Sequence, residues 1–459
     1  MTGTEDIELC HLIEDEKATD PKESKKDTQQ HKSRLDRLRS YRPLVAFIVF
    51  MAHLLDNVLF TAIVPILPGL LPNISNISTG TLLASKSFFQ LVACFGTGPL
   101  TDRFGFTSPL LAGFLLLTSS TIVLAFVVEL GKSVASRYAV ILVSRSLEGI
   151  GCALTSTAGM AMIADRYPDD DERGRVIGIV LSGIGLGDVV GYPFGGAFSG
   201  IPGGVEAGWK YPFLIIAAVG LFDLVLQLLV LGYRERKRVE SRANVKLSMW
   251  TLFKDPYIVL GFVVITLSQM PISATEPIVP AWMLDNFKPK PRSYSVGLVL
   301  LASTASYLVT TPLVGRVPGR HRWMGVILGM IIMTIGLSTL PLAALPRRNN
   351  IYFLIAPLLL LGVGIGMTDS LLYPIMASLV DLRHASVYGG IYAITDMAIN
   401  VGYLIGPLYS AGINQLVNFN WSIWSVGIAI ILSCPFIGFL KSPKSTRKCE
   451  VIENDELNE

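Results

Sequence analysis

The sequence predicts an all-α membrane protein of twelve transmembrane helices in two six-helix halves. Three observations carry this. Only 16% of the 459 residues are charged and 51% are hydrophobic, with a mean hydropathy of +0.53, whereas soluble domains carry roughly 25% charged residues. Apolar stretches of about 20 residues, enough to cross a hydrocarbon core of roughly 30 Å, recur along nearly the whole chain. They fall into two groups of six around a charged connector, as in an internally duplicated membrane fold. A large soluble helical protein would need charged outer faces that these stretches lack.

Residues 1–42 are polar and lysine-rich and read as a tail without a packed core. Within it Glu8, Leu12 and Ile13 have the acidic-x-x-x-Leu-Ile form of an adaptor-read sorting signal, which makes sorting adaptors a candidate partner. The first half, 43–232, divides into spans near 43–71, 79–100, 107–128, 137–163, 174–198 and 211–232. A basic connector, 233–256, holds seven Lys and Arg. The second half, 257–440, divides near 257–283, 295–315, 323–345, 351–377, 386–411 and 421–440, and a tail, 441–459, follows. The positive-inside rule puts the connector and both tails in the cytosol. Asn73 and Asn76, each in an Asn-Ile-Ser sequon, then face the lumen or the outside, where glycosylation acts. The five cysteines, Cys10, Cys94, Cys152, Cys434 and Cys449, form neither a disulfide framework nor a metal-ligand spacing.

The chemistry lies in charges placed inside apolar spans. Asp56, Glu148, Asp188, Asp223, Glu276, Asp369 and Asp396 are all intramembrane, and only Lys86 and Arg145 offer clear cationic partners. An unpaired charge at the bilayer centre costs roughly 3 kcal/mol or more. Some of these acids must therefore be protonated, reach water in a cavity or await a cation. A proton-coupled carrier of cations meets all three conditions. Burial disfavours an ionised carboxylate and so favours proton uptake near neutrality. Asp223 is the first candidate for a structural role. Tyr388, Tyr392, Asp396, Ile399 and Tyr403 share one helical face, where tyrosine rings beside an acid suit an ammonium ligand. Gln269 and Glu276 share a face of the seventh span, and Asp369 and Tyr373 one of the tenth. Arg145 and Glu148, three residues apart, can pair with each other.

Two motifs place the fold. Gly98-Pro-Leu-Thr-Asp102-Arg103-Phe-Gly105, between the second and third spans, resembles the cytoplasmic loop motif of the major facilitator superfamily, which makes Asp102 and Arg103 gating candidates. Gly187-Asp-Val-Val-Gly191-Tyr-Pro193-Phe-Gly195-Gly196 resembles that superfamily's antiporter motif, with Tyr192 interrupting the usual Gly-Pro step. Plain helix packing explains most of these glycines. Longer matches run through Leu54-Leu-Asp56-Asn57, Ala84-Ser-Lys86, Ser144-Arg145-Ser-Leu147, Asp169 to Gly174, and Lys254-Asp-Pro-Tyr257. They continue through Glu276-Pro277, Gly366-Met-Thr-Asp369-Ser370, Val380 to Gly389, Ile391 to Asp396, and Gly402-Tyr403.

Over about residues 43–443 the chain resembles the vesicular amine transporters, the monoamine branch first and the acetylcholine branch next. The resemblance implies exchange of luminal protons for a cytosolic amine in acidic vesicles, such as synaptic vesicles. It implies that Asp56 and Glu276 contact the substrate ammonium, with Asn57 nearby, and that Asp369 carries protons. It implies a Lys86–Asp396 ion pair, Arg145 in the proton-linked network, and Tyr307, Tyr403 and Trp282 lining the cavity or its luminal gate. His384 matches the family's motif. The chain departs from the family in a short first luminal loop and the absence of its luminal cysteine pair. Asp188 stands for an apolar residue, Gln269 for an asparagine, and Leu300 and Ile399 for phenylalanines, which places Gln269 and Asp188 among the substrate-binding candidates and leaves the amine open. The alternatives are a plasma-membrane organic-cation or multidrug/proton antiporter and a non-transporting membrane receptor or sensor. No ATP-binding loop, enzymatic constellation, metal site or nucleic-acid feature appears, so no cofactor is expected beyond protons as the coupling ion.

Overall fold

Twelve long helices account for nearly all of the described chain: α1 (Arg42–Leu70), α2 (Asn76–Phe104), α3 (Thr107–Ala125), α4 (Val134–Arg166), α5 (Asp170–Ser199), α6 (Lys210–Leu231), α7 (Pro256–Asn286), α8 (Ser293–Val314), α9 (Arg322–Thr339), α10 (Ile355–Arg383), α11 (Tyr388–Leu416) and α12 (Phe419–Ile437). The structure, a computed structural model, describes residues 42–71, 76–199, 206, 208–231, 249–287, 293–344, 351–384, 388–441 and 443. Glu8, Leu12, Ile13, Asn73 and most of the connector lie outside these residues; Asn76 is the first residue of α2. Residues 45–459 form one unit; of the other, 1–44, only the first three residues of α1 are described.

Among the described residues eleven helices are long and apolar enough to cross a membrane, and α2 is the long helix that falls short. The reason is visible in its two faces. Ser85, Lys86, Gln90 and Thr97 are buried, while Phe88, Val92 and Phe95 are exposed. This is the inverse of a soluble helix, and it holds elsewhere: Leu115, Phe222, Leu298 and Leu432 are all more than half exposed. Such an apolar exterior needs lipid around it. The molecule is a multi-pass membrane protein.

Helix pairing repeats between the two groups of six. In the first, α2 packs on α4, α3 on α4 and α3 on α6; in the second, α8 packs on α10, α9 on α10 and α9 on α12. The fourth pairing, α7 on α11, has its counterpart in α1 on α5. That contact is made by glycines four residues apart. Gly183 lies on Phe50, Gly187 on Leu54 and Asn57, Gly191 on Val58 and Thr61, and Gly195 on Ala62, where an added Cβ would stand 2.0 Å from the Ala62 carbonyl oxygen. Small residues at this spacing let two backbones touch. The antiporter-like run is thus a packing stripe, and Asp188, one residue off it, is turned elsewhere.

The two groups meet through α2 on α11 and α5 on α8, contacts that are themselves equivalent under the repeat. Both contacts begin at the same end of the bundle. Gly105 closes α2 there with φ 83°, a left-handed conformation that glycine adopts without steric cost.

Candidate functional site

A cavity of about 120 Å³ opens at the centre, between the two groups of helices. Five carboxylates line it, Asp56, Asp188, Glu276, Asp369 and Asp396, with a single ammonium, Lys86. The acids fall into three environments: one is paired with the lysine, two accept from neutral donors and two have no partner among the described residues.

Asp56, on α1, takes the lysine. Lys86 Nζ lies 2.8 Å from Asp56 Oδ2, both side chains being at most a tenth exposed, and the Cys152 thiol on α4 donates to the same oxygen at 3.0 Å. This corrects the expected Lys86–Asp396 pair in this conformation. The cause is axial register. α2 and α11 run antiparallel, with Asp102 meeting Gly389 and Gly390, Gly98 lying against Gly390 and Ala393, and Cys94 meeting Asp396. Lys86 is eight residues from Cys94, about 12 Å further along α2. Asp396 accepts instead from Gln90 Nε2 at 3.1 Å on both oxygens, Cys94 Sγ at 3.1 Å and Ser156 Oγ at 3.4 Å.

Asp369, on α10, accepts from Gln269 Nε2 at 2.9 and 3.1 Å and from the Tyr307 hydroxyl at 3.3 Å. Its donors, like those of Asp396, are all neutral. Glu276 and Asp188 have neither a hydrogen-bond nor an ion-pair partner among the described residues, although both line the cavity with Tyr403. Asn57 lines it as well and donates to the His53 carbonyl at 2.8 Å.

Other expected residues lie away from the cavity. Arg145 binds both oxygens of Glu148 at 2.9 Å, and neither side chain is more than 1% exposed. Their three-residue spacing on α4 makes the pair local. Arg145 and Lys86 lie on the same aromatic ring, that of Phe60, 5.2 Å from the guanidinium and 5.0 Å from Lys86 Nζ. Asp223 is bonded to Gln227 at 2.8 Å within α6, a structural arrangement. Trp282, expected at the cavity or its luminal gate, stacks on Phe419 at the start of α12, ring centroids 4.2 Å apart, outside the cavity lining. On α11 the expected five-residue face splits: Asp396, Ile399 and Tyr403 face the cavity, whereas the Tyr388 hydroxyl donates to Asp381 and Tyr392 is buried outside it.

That split marks where the bundle is shut. Asp102 accepts at 2.8 Å from the backbone N–H groups of both Gly389 and Gly390, so an α2 carboxylate caps the N-terminus of α11, where the helix dipole favours negative charge. Arg103, its expected gating partner, is exposed and lies over Phe104. A second clasp joins α5 to α9 and α10. Asp170 accepts from Arg173 at 2.8 Å, Arg322 at 2.7 Å and Ser378 at 2.6 Å, while Arg173 also reaches Asp381 at 2.9 Å. Both arginines are 1% exposed. Just outside the membrane Asp255 caps α7 and binds Arg383 and His384. Burial alone would raise the Asp255 carboxyl, but hydrogen bonds from Arg383, the Tyr257 N–H and His384 outweigh it and hold it below its ordinary value. This cap therefore stabilises the fold at any pH above about 4 and is lost as acid takes the pH lower.

Sequence reasoning missed Gln90, Cys94, Cys152, Ser156, His53 and the α5–α9–α10 clasp. The Lys86-Gln90-Cys94 spacing, four residues each time, was a readable stripe on one helical face. The clasp residues Asp170 and Arg173 sat in a matched stretch with no role attached.

The pairing at Asp56 has a direct consequence. Lys86→Ala leaves a buried carboxylate without its cation, a loss of roughly 3–5 kcal/mol. Folded protein, measured as the monodisperse size-exclusion peak of detergent extracts, is expected to fall sharply in Lys86→Ala and to recover when Asp56→Asn is added. Wild-type yield from the single variant would count against a structural pair.

An apolar-walled helical bundle, built from two equivalent groups of helices around a buried acidic cavity shut at one end, has the architecture of a membrane transporter. The chain matches the Major Facilitator Superfamily profile over residues 45–395 and 261–454. It is 35% identical to the human synaptic vesicular amine transporter, over 89% of this chain and 90% of that one. It is 38% identical to the rat chromaffin granule amine transporter (83% and 69% covered) and 32% identical to the vesicular acetylcholine transporter of Torpedo marmorata (88% and 82%). The fold is shared with the human organic anion transporter MFSD10, at TM-score 0.68 and 17% identity over 86% of this chain and 99% of that one. The proton:xylose symporter XylE matches equally well, at 0.68 and 18% over 90% and 99%. The protein belongs to the vesicular amine transporter family of the major facilitator superfamily, a family of transporters and not of enzymes.

Proposed function

We propose that the protein loads a protonated amine into acidic vesicles in exchange for luminal protons. The observation that carries this is the pair of cavity acids, Asp188 and Glu276, left without a partner while the cavity's one lysine is engaged by Asp56. An ammonium group entering the cavity supplies the charge and the N–H donors that these acids lack. The names of the relatives, amine transporters of synaptic vesicles and chromaffin granules, support an amine and a vesicle.

The halves 43–232 and 257–440 exchange access by rocking about the cavity, with the tails and the 233–256 connector in the cytosol. Asp56, Asn57, Asp188, Glu276 and Tyr403 receive the substrate. Asp369, with Gln269 and Tyr307 as its donors, and Asp396 exchange protons. Lys86 and Arg145 bias that exchange through Asp56 and Glu148, and Asp102 with the Asp170–Arg173–Arg322 clasp forms the cytosolic gate.

The test is uptake of labelled monoamines, acetylcholine and polyamines into acid-loaded vesicles bearing the full chain. At least one amine should accumulate, and dissipating the proton gradient should release it. Asp369→Asn should abolish gradient-driven accumulation. Uptake that ignores the gradient, or normal coupled uptake by Asp369→Asn, would sink this reading.

A further inference from the structure

His53 sits on α1 one turn before Asp56 and lines the cavity with it. It is only 8% exposed, and its Nδ1 lies 2.9 Å from the Val49 carbonyl oxygen. A carbonyl oxygen can only accept, so Nδ1 must carry the proton of this bond. The second nitrogen, Nε2, is then a lone-pair acceptor in the neutral ring. It has no hydrogen-bond partner among the described residues. An unpartnered acceptor on a cavity wall is available to whatever donor enters the cavity.

We propose that His53 Nε2 is a proton-exchange site, at which the substrate's ammonium and a proton exclude one another. This rests on the amine-loading reading above and adds to it a group that no acid supplies. With the ring neutral, Nε2 accepts an N–H of the amine beside Asp56. A proton arriving at Nε2 turns the acceptor into a donor and places a positive charge next to the ammonium. The amine loses a hydrogen bond and gains a repulsion, so one cation enters as another leaves.

The charged groups around the ring leave room for this exchange. Asp56 on α1 and Lys86 on α2 line the cavity with it, carry opposite charges and are bonded to each other. Cys152 on α4, Asp188 on α5 and Glu276 on α7 face the same cavity; the Cys152 thiol is spent on Asp56, and the other two are the partnerless acids. None of these occupies Nε2. Imidazole is also the side chain that ordinarily changes charge between pH 5 and 8, the interval between cytosol and an acidic vesicle.

The experiment measures binding of the amine that the wild-type chain accumulates best, to the full chain in lipid nanodiscs, at pH 7.5 and 5.5. Wild type should bind more weakly in acid. His53→Leu removes acceptor and charge, and should weaken binding at pH 7.5 about tenfold, the equivalent of one hydrogen bond to a charged group. His53→Gln and His53→Asn keep an amide oxygen but cannot take the proton, and should show a smaller acid-induced weakening than wild type, the part that remains belonging to the cavity acids. Either amide variant that binds amine is sufficient for the comparison. Acid profiles superimposable on wild type in His53→Gln and His53→Asn would overturn the inference while leaving the amine-loading reading standing. A wild-type chain that accumulates no amine would sink that reading, and the inference with it.

Discussion

Glu276→Gln is expected to reduce amine binding at neutral pH by roughly 30- to 4,000-fold, and with it gradient-driven uptake. The range follows from removing one partner of a desolvated charge pair, which costs about 2–5 kcal/mol, at about 1.4 kcal/mol per tenfold. Glu276 lies two helical turns along α7 from Gln269, whose amide is occupied with Asp369. The amide is isosteric and neutral, so the cavity keeps its shape and loses only the charge. Glu276→Asp keeps the charge on a shorter side chain and should recover part of the binding. Equilibrium binding of the labelled amine, with the size-exclusion profile as the control for folding, reads all three. Binding within threefold of wild type by Glu276→Gln would show that the ammonium is held elsewhere. Asp188 would then be the first acid to examine, since it is the other without a partner.

Arg322→Ala is expected to open the closed end of the bundle. Arg322 donates at 2.7 Å to Asp170 Oδ2 and at 2.6 Å to the Asp170 carbonyl oxygen, tying α9 to the first turn of α5. Charge-assisted bonds contribute about 1.5–3 kcal/mol each when enclosed. Asp170 is 40% exposed on its side chain, so water screens the interaction. A net effect of about 1–2 kcal/mol corresponds to a shift of roughly 5- to 30-fold toward conformations open on this side. Cys152 reports the change, because it lines the cavity. In a background lacking Cys10 and Cys449, an impermeant thiol reagent added to this face should modify Cys152 faster in Arg322→Ala than in the parent by that factor. Unchanged modification would mean that Asp102 and the remaining α5 contacts hold the gate without Arg322. Arg322→Lys keeps the charge but not the paired donors, and should fall between the two.

Much of the fold was legible from the sequence. Hydropathy marked the positions of the spans, and the glycine spacing of α5 announced a close packing that the structure places against α1. The G-x-x-x-D-R-x-G run announced a contact at the end of α2, and Asp102 does make one, with α11. α2 was legible only in part. Its polar face lowers its hydropathy below that of the other long helices, and that same face supplies Lys86, Gln90 and Cys94 to the acids. Arg145 illustrates the limit: its three-residue spacing from Glu148 allowed a local pair, and packing forms that pair with both side chains enclosed.

The sequence by itself determined the inventory: twelve helices, seven intramembrane acids, and two cations that cannot satisfy them all. Tertiary structure decided the assignments. Lys86 belongs to Asp56 because α2 and α11 are offset by two turns, Asp396 is left to neutral donors, and Asp188 and Glu276 share one cavity without a partner. Hydropathy and helical period are properties of each segment alone, and so can be read locally. An ion pair depends on the rotation and axial offset of helices that are remote in the chain, and only their packing fixes either.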